Sequence, residues 1–591
     1  MEPDGKKFEE MDAKSERVAV LSSPSSTTDL MVDVLGHSVD KRLVGTLIYF
    51  TFGQESRLHC AMGQITDITL RNLWVEGATM RSIIRERGRV DPLTERQDTH
   101  SATVSVGAVF SRADGRFEQS QMGTVPATGT PIKLVGNALL DNLLESYSDV
   151  VVRMGRFYGN DTFFPAWFRH FGPGRYGTNE AYHFGIFGKT GSGKSVLAEC
   201  LLCGYAVHPE MSIFVVDPQG QFYKDFSVGT PARKFLDETL GREVLTLNAR
   251  DIWLTDSGYD LFLEILSRTK FFSNLKIFSE DNRARARSEI EGAIAPSGRG
   301  QGDAPKPWEL HQREIFNRVW QSFGDENVRR SIYTSDAPYE RLTSAYNHCN
   351  VDIMYDLWAR AARLFTKEGR PKARKITEIV ESVLDTKRGL FVVIDLSEES
   401  APTDVVWDEG VKMVVLRTVL EQLRENAEEV YKKGERLNTL VLIDEAHRFA
   451  PRDVSPDNYD LYEMRKLLVD SARTTRKYGL GWGFISQTLS SIDREITGQL
   501  RIYIFGYGLA WGAELRALEE LMGGSEAISL YQSFRDPEAS LGERQYPFMV
   551  TGPLSPLSFS GSPLFFTALK WPGEVISHLT PKSRKGETST T

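Results

Sequence analysis

The sequence predicts an α/β fold in which a small N-terminal β-barrel precedes an α/β domain that carries a helical insertion. Short β-type runs occupy about 40–135, buried strand candidates alternate with helices after about 180, and this alternation stops between about 255 and 385. With 591 residues the chain is too long for one compact core, so two or more domains are expected. The predicted divisions are a poorly ordered tail over 1–30, the barrel over 31–140, the α/β domain over 141–575 and a flexible tail over 576–591.

A small barrel or sandwich is predicted from β-type runs that glycine, aspartate and charged turns separate from one another. These runs lie at 46–52, 62–68 and 103–110. The first thirty or so residues are instead polar and poor in aromatics, which is typical of a disordered segment.

The α/β domain is predicted from strand candidates that are continuously apolar, so that both of their faces are expected to be covered, as in a parallel sheet. The candidates are 181–187, 212–217, 390–395, 439–444, 482–486 and 502–506. The charged, helix-type stretch at about 255–385, which contains the breaker-rich segment 296–302, is expected to be an insertion into this domain.

Composition narrows the class of protein. Hydrophobic residues make up 41% and charged residues 26%, no membrane-length apolar run is present, and the first twenty residues lack a signal-peptide core. Four cysteines do not make a disulfide framework, and the Cys200 and Cys203 pair is expected to be apolar helix residues, so a cytoplasmic setting is predicted. The net charge of −9 argues against a basic coat but permits basic groups confined to a channel.

Residues 188–195 match G-x-x-x-x-G-K-[ST] and lie between an apolar strand candidate and an amphipathic helix. Glycines in this pattern allow backbone N–H groups to wrap phosphates at a helix N-terminus. Lys194 is expected to reach the β- and γ-phosphates, and the Ser195 hydroxyl to complete a Mg²⁺ shell. The predicted nucleotide-binding residues are Gly188, Thr190, Gly191, Ser192, Gly193, Lys194, Ser195 and Val196.

Two adjacent acids, Asp444 and Glu445, close a buried strand candidate. Asp444 is expected to hold Mg²⁺ through water and Glu445 to polarise an attacking water, whereas the structural alternative for Asp444 is a helix N-cap. The tetrapeptide 444–447 also matches a DEAH-type RNA helicase, but the chain has neither a second motor domain nor the arginine-rich motif of that class. His447 is therefore predicted to make local hydrogen bonds rather than to catalyse.

A glutamine and two arginines follow these acids. Gln487 comes at the tip of a strand candidate, where its amide can both donate and accept, and so can sense a γ-phosphate or orient water. Arg473 and Arg476 are candidates for neutralising transition-state charge, often across a subunit boundary. A solvated helix face is the alternative reading of both arginines.

Four strings in the chain resemble the HerA branch of the HerA/FtsK ATPases: GIFGKTGSGKSVLAE, VVDPQGQF, LVLIDEAHRFAP and RKYGLGWGFISQTLSSI. The resemblance covers about 180–555 and extends to the N-terminal β region. It implies a RecA-like P-loop ATPase domain and a homo-hexameric ring that hydrolyses ATP, with Mg²⁺, to move double-stranded DNA through its channel. It also implies a partner, either a nuclease such as NurA in DNA processing or a nuclease or sirtuin-like effector in antiphage defence.

The resemblance assigns roles by motif. Lys194, Glu445 and Gln487 become catalytic residues, Arg476 becomes the finger that acts in trans, and Arg175 is a candidate for a second contact in trans. One departure is present, because the family pattern Asp-x-x-G-E-Y is replaced here by Asp-Pro-Gln-Gly-Gln-Phe over 217–222. A direct catalytic role for position 221 is thereby put in doubt.

Two other functions fit the same motifs. One is a ring whose ATP state scaffolds and regulates an effector without productive translocation. The other is a secretion or coupling ATPase at a membrane, against which the missing hydrophobic anchor counts.

Overall fold

The structure is a computed structural model that describes residues 3–88, 97–113, 116–148, 150–174, 177–255, 258–295, 304–455, 458–522, 525–558 and 561–579. The chain divides into two compact units. The first unit comprises Met1–His208, Glu445–His447 and Trp482–Thr591, and the second comprises Pro209–Asp444 and Arg448–Gly481.

The strands of the described residues are β1 Arg17–Leu21, β2 Asp29–Val34, β3 Leu47–Gln54, β4 Arg57–Arg71, β5 Thr99–Ala113, β6 Arg116–Ser120, β7 Pro131–Leu134, β8 Val151–Phe157, β9 Phe163–Trp167, β10 Phe184–Phe187, β11 Ser212–Asp217, β12 Val244–Leu247, β13 Ile252–Trp253, β14 Arg374–Lys375, β15 Phe391–Asp395, β16 Thr439–Ile443, β17 Leu480–Ser486, β18 Ile502–Gly506, β19 Pro547–Thr551 and β20 Leu564–Ala568.

The α-helices of the described residues are Pro3–Lys14, Leu73–Glu76, Ala78–Arg87, Asn137–Leu143, Lys194–Ala206, Gln221–Asp225, Pro231–Lys234, Asp260–Arg268, Phe271–Asn274, Glu280–Ile294, Arg313–Ser322, Glu326–Ile332, Asp336–His348, Val351–Ala362, Ile376–Leu384, Glu409–Lys432, Tyr459–Thr474, Arg494–Thr497, Gly512–Met522, Ser525–Gln532 and Gly573–Leu579.

Six strands of the first unit close into the predicted barrel. They follow the order β2-β1-β7-β3-β4-β5, β5 pairs back onto β2, and β6 extends from β5. The barrel core contains fully buried apolar side chains from each of these strands, such as Val18, Leu30, Ile48, Ala61 and Val104. Closure pairs the edges that an open sheet would expose.

The tail predicted over 1–30 needs correction. Pro3–Lys14 is a helix whose Phe8 is buried against Phe117, with ring centroids 4.9 Å apart. β1 is one of the strands of the barrel and pairs with β2 and β7. The prediction was wrong because the region is mostly polar. One short apolar run is nevertheless enough to form a strand when neighbouring strands supply its hydrogen-bond partners. At the other terminus, Gly573–Leu579 is a helix that passes residue 576, and 580–591 lie outside the described residues.

The sheet of the α/β domain combines parallel and antiparallel strands. In the first unit the order is β17-β10-β18-β19-β20-β8-β9, in which β17, β10 and β18 are parallel and the remaining pairs are antiparallel. In the second unit the order is β12-β15-β11-β16, all parallel. The six predicted strands all form, whereas the antiparallel extension was not predicted from continuous apolarity.

The helical insertion lies in the second unit, between β13 and β14. Its helices pack through aromatic side chains, and the fully buried Trp358 meets Phe262 with ring centroids 4.7 Å apart. The α/β fold, the insertion and the N-terminal barrel are thus confirmed. Within the described ranges, none of the helices has the length and apolarity needed to cross a bilayer.

Candidate active site

The predicted phosphate loop connects β10 to the helix Lys194–Ala206 in the first unit. Its first two residues are tied to the neighbouring parallel strands. The N–H of Gly188 donates to the carbonyl of Ser486 at 3.2 Å, and the N–H of Lys189 donates to that of Tyr507 at 2.9 Å. The loop is therefore anchored to the carboxyl ends of β17 and β18 as well as to its own strand.

Two glycines of the loop adopt conformations that other residues rarely take. Gly191 has φ of +80° and Gly193 has φ of +86°, both in the left-handed region. A Cβ on Gly191 would come within 2.5 Å of the Glu538 carboxylate, and one on Gly193 within 2.5 Å of the Tyr546 ring. Backbone conformation thus favours glycine at both positions, and at Gly193 the Tyr546 ring also leaves no space for a side chain.

The rest of the loop separates into exposed and buried parts. The Lys194 ammonium donates to the carbonyl of Lys189 at 3.0 Å. Ser192 is fully buried, a Cβ on Gly506 would lie 3.2 Å from its hydroxyl, and its own N–H donates to the Lys189 carbonyl at 3.1 Å. The structure therefore places the Ser192 side chain underneath the loop. Val196 is half-buried in the first turn of the following helix.

A chain of hydrogen bonds connects the loop to the predicted catalytic acid. The Thr190 hydroxyl donates to Gln487 Oε1 at 3.2 Å, and Gln487 Nε2 donates to Glu445 Oε1 at 2.7 Å. The two ends of the glutamine amide thus serve different partners, as an acceptor and as a donor. Three residues predicted from separate motifs meet here within the first unit.

Glu445 has an unusual backbone. It is 7% exposed and its φ is +49°, in a region that residues other than glycine, asparagine and aspartate seldom occupy. His447 Nδ1 lies 3.3 Å from Glu445 Oε2 and 3.4 Å from the Ser486 hydroxyl. His447 therefore contacts the acid directly, as a local hydrogen-bonding residue does.

Acids follow three neighbouring strands of the second unit. Asp395, Asp217 and Asp444 come at the carboxyl ends of β15, β11 and β16, and all three are buried. Asp217 and Asp395 are partners in the strand register, and the N–H of Asp444 donates to the carbonyl of Val216 at 3.1 Å. Asp395 was missed in the sequence, although its position at the end of an apolar run was the available signal.

Asp217 is held by backbone donors. Its carboxylate accepts from the N–H of Gly220 at 2.9 Å and from that of Tyr223 at 2.8 Å. Burial raises the pKa of Asp217 to about 6, the Tyr223 N–H opposes this, and the nearby Asp395 charge adds to it. Gln221, which stands where the family pattern has glutamate, begins the helix Gln221–Asp225 that this arrangement positions.

The candidate arginines lie in the second unit. Arg473 is exposed in the last turn of Tyr459–Thr474, and Arg476 is half-buried in the 3₁₀ turn Thr475–Tyr478. Arg175 lies outside the described residues.

Three residues beside the phosphate loop were not predicted. Glu538 and Tyr546 approach Gly191 and Gly193 as described, and the Lys189 ammonium lies 5.1 Å from the centre of the Trp511 ring. All three come from the C-terminal part of the chain. They match no motif, and only the fold brings them to the loop.

A phosphate loop between a parallel strand and a helix, joined by hydrogen bonds to a buried acid of the same unit, defines a P-loop ATPase. Residues 180–423 match the family model described as the central domain of the helicase HerA. This segment is therefore of the HerA/FtsK type, the chain is an ATP hydrolase, and its α/β domain is RecA-like.

Solved structures give more distant likenesses. VirB4 of Thermoanaerobacter pseudethanolicus matches with a TM-score of 0.37 and 15% identity, covering 72% of this chain and 97% of that chain. The bacterial conjugative coupling protein TrwBdeltaN70 matches with a TM-score of 0.38 and 13% identity, covering 74% and 92%. The genome packaging NTPase B204 from Sulfolobus turreted icosahedral virus 2, in complex with AMPPCP, matches with a TM-score of 0.26 and 10% identity, covering 66% and 98%. At these scores the likenesses say nothing about what this chain binds. No curated protein sequence matches the chain.

Proposed function

We propose that this chain is an ATP-driven motor that moves along double-stranded DNA as a homo-hexameric ring. One observation carries the proposal: the Thr190–Gln487–Glu445 hydrogen-bond chain, which joins the phosphate loop to an acid within a single unit. Such a chain allows the occupancy of the loop to reorient the acid, and this is what a motor needs to couple hydrolysis to movement. The match to the central domain of a helicase supports DNA as the track.

The proposed chemistry uses the residues of this unit. Glu445 accepts a proton from a water whose oxygen attacks the γ-phosphorus, while the bond from that phosphorus to the departing ADP oxygen breaks. Gln487 holds the Glu445 carboxylate through its amide N–H, at the observed 2.7 Å. The Lys194 ammonium, now on the Lys189 carbonyl, balances the charge that develops on the phosphates.

Mg²⁺ is proposed to accompany the nucleotide. The motifs assign Ser195 and Asp444 to it, and a hydroxyl and a carboxylate are the oxygen donors that this cation prefers. Among the described residues no cluster of three or more His, Cys, Asp or Glu side chains is suited to a metal ion. The bound cation would supply charge neutralisation at the phosphate oxygens.

The ring completes the proposed site. Arg476, and as an alternative Arg473, is proposed to act on the nucleotide of a neighbouring copy, where its guanidinium neutralises transition-state charge. The position of Arg476 in a short 3₁₀ turn, half-buried, favours it over the exposed Arg473 because its geometry is better fixed.

A partner protein is part of the proposal. A nuclease or sirtuin-like effector would use the motor in DNA processing or antiphage defence. The proposed hydrolysis uses no residue of the N-terminal barrel. Near the end of β4 and in the helix that follows it, Leu70, Leu73 and Trp74 are 61%, 69% and 63% exposed. Exposed apolar groups of this kind mark interaction surfaces, which supports a docking role for this end of the barrel.

The test is ATP hydrolysis by the full chain with and without linear duplex DNA. Duplex DNA is expected to stimulate turnover several-fold, and displacement of a bound protein from the duplex is expected only with hydrolysable ATP. An unchanged rate together with no displacement would contradict translocation and favour a ring that regulates an effector.

A further inference from the structure

A basic cleft lies in the second unit, and its lining contains none of the site residues described above. Its volume is about 430 Å³, and its lining includes Arg250, Arg370 and Lys372 together with Asp251 and Asp404. Arg250 follows β12, and Asp404 follows β15, so the cleft is on the side of the carboxyl ends of these parallel strands.

The cleft is built partly from a strongly basic segment. Residues 367–375 contain five lysines and arginines and one acid, in a chain whose net charge is −9. The one acid, Glu368, is engaged by His311, whose Nε2 lies 2.5 Å from its carboxylate. Lys367, Lys372 and Arg374 are exposed. The segment therefore presents a concentrated positive charge that its own acid does not cancel.

Arg370 fixes the shape of the segment. Its guanidinium donates to the carbonyls of Ala249 at 3.3 Å and Ile252 at 3.1 Å. It also donates to the carbonyls of Arg363 and Thr366. With four backbone acceptors around it, Arg370 serves to hold the loop rather than to meet a ligand.

The strand pair β13–β14 holds the other end of the segment. Ile252 is the register partner of Arg374, and the N–H of Arg374 donates to the carbonyl of Asp251 at 2.8 Å. The positions of Arg250 and of residues 372–374 are thus fixed relative to one another by backbone contacts. A preformed arrangement of cations loses less conformational entropy when it binds an anion.

The two acids of the cleft are already engaged. The Asp251 carboxylate accepts from the N–H of Asn248 at 3.1 Å, and the Asp404 carboxylate lies 3.9 Å from Arg363 Nη1. The side chains of Arg250 and Lys372, by contrast, have no hydrogen-bond or ion-pair partner within the described ranges. The cleft therefore carries a net excess of unpaired positive charge.

We propose that this cleft, with Arg250 and Lys372 as its contacts, binds phosphate groups of the DNA backbone. The inference rests on the proposed function and assigns a binding site for the double-stranded DNA. In the described part of the chain no aromatic side chain lines the cleft, so it offers no stacking surface for a base. Lys367 and Arg374 continue the charge beyond it, which fits successive phosphates of a polymer better than one free phosphate.

The test is the affinity of the full-length Arg250→Ala/Lys372→Ala variant for a short fluorescein-labelled duplex, measured by anisotropy without nucleotide. The matched control is Lys432→Ala/Lys433→Ala, which removes two exposed charges at the end of the helix Glu409–Lys432, outside the lining of the cleft. The first variant is expected to bind at least about tenfold more weakly near 0.1 M salt, with the slope of log affinity against log salt reduced by about two. The control is expected to bind nearly as wild type.

The outcomes separate the two proposals. Wild-type affinity in the Arg250/Lys372 variant, or an equal loss in the control, overturns the cleft assignment while DNA-stimulated ATP hydrolysis by the wild type still supports the motor. A wild type that neither binds duplex nor responds to it overturns both. If the Arg250/Lys372 variant keeps its affinity for the duplex and loses only the competition by inorganic phosphate, the cleft is a small-anion site. That result overturns the proposal that it binds the DNA backbone. DNA-free ATP hydrolysis is expected to be unchanged in both variants.

Discussion

Gln487 holds Glu445 through a hydrogen bond of 2.7 Å, while the backbone of Glu445 stays at φ of +49°. The acid is thus fixed at both its side chain and its main chain, and the main-chain conformation is one that costs free energy. The other end of the Gln487 amide accepts from Thr190 of the phosphate loop. A change in the conformation of the phosphate loop is therefore expected to alter the position of Glu445 through the Gln487 side chain.

Glu445→Gln is expected to lower the turnover of ATP by about 100-fold or more while leaving nucleotide binding nearly unchanged. The amide keeps the size of the side chain but cannot take a proton from water. Steady-state hydrolysis and the affinity for a fluorescent ATP analogue measure the two effects, and Glu435→Gln, an exposed position, is the control. Hydrolysis at the wild-type rate would show that another residue is the base.

Gln487→Ala is expected to lower kcat by about tenfold or more and to change KM for ATP much less, because it removes the link to Glu445 rather than a ground-state contact. Gln487→Asn keeps the amide but shortens its reach, so little rescue is expected. Initial rates over a range of ATP concentrations give the two constants. An effect on KM alone would place Gln487 in substrate binding instead.

Gly193→Ala is expected to abolish ATP binding and to destabilise the first unit. The new Cβ would meet the Tyr546 ring at 2.5 Å, in addition to the cost of a φ of +86°. Gly434→Ala separates these causes, because Gly434 has a similar φ of +82° in open space. The control is expected to lose about 1 kcal/mol of unfolding free energy and to retain ATP binding. Equal effects of the two substitutions in denaturation and binding would remove the role given to Tyr546.

Asp217 is expected to make stability depend on pH. Its folded-state pKa of about 6 lies above the usual 3.8, so the folded protein binds the extra proton. The stabilisation is fully present below about pH 4 and is lost as the pH rises through about 6, in total about 3 kcal/mol. Thermal unfolding of the wild type and Asp217→Asn between about pH 4 and 7 should therefore show the wild type losing stability relative to the variant. Parallel profiles would contradict the raised pKa.

Arg476→Ala is expected to reduce hydrolysis strongly but to leave the subunit able to bind ATP. Mixing it with Lys194→Ala subunits is expected to restore part of the activity, because such rings place an intact arginine beside an intact phosphate loop. The measurement is the hydrolysis rate across mixing ratios. A rate that never exceeds the sum of the two variants alone would count against action in trans, and the same experiment with Arg473→Ala tells which arginine acts.

The sequence by itself determined the elements whose signals are local. The phosphate loop is a contiguous pattern, and each parallel strand is a contiguous apolar run, because burial on both faces requires apolar residues at successive positions. Asp444, Glu445 and Gln487 could be named for the same reason, since each stands at the end of such a run. The insertion could be predicted because the alternation of strand and helix candidates stops there.

Tertiary structure alone decided how these elements meet. Thr190 and Gln487 are 297 residues apart, and Glu538 and Tyr546 reach the phosphate loop without any motif to announce them. β1 was taken for part of a tail because five residues carry too little signal until two partner strands bury them. The basic segment 367–375 is plain in the sequence, yet only the four carbonyls around Arg370 show which of its cations hold the loop and which remain available to a ligand. Local patterns specify elements, whereas contacts between distant residues depend on a packing that no short stretch of sequence contains.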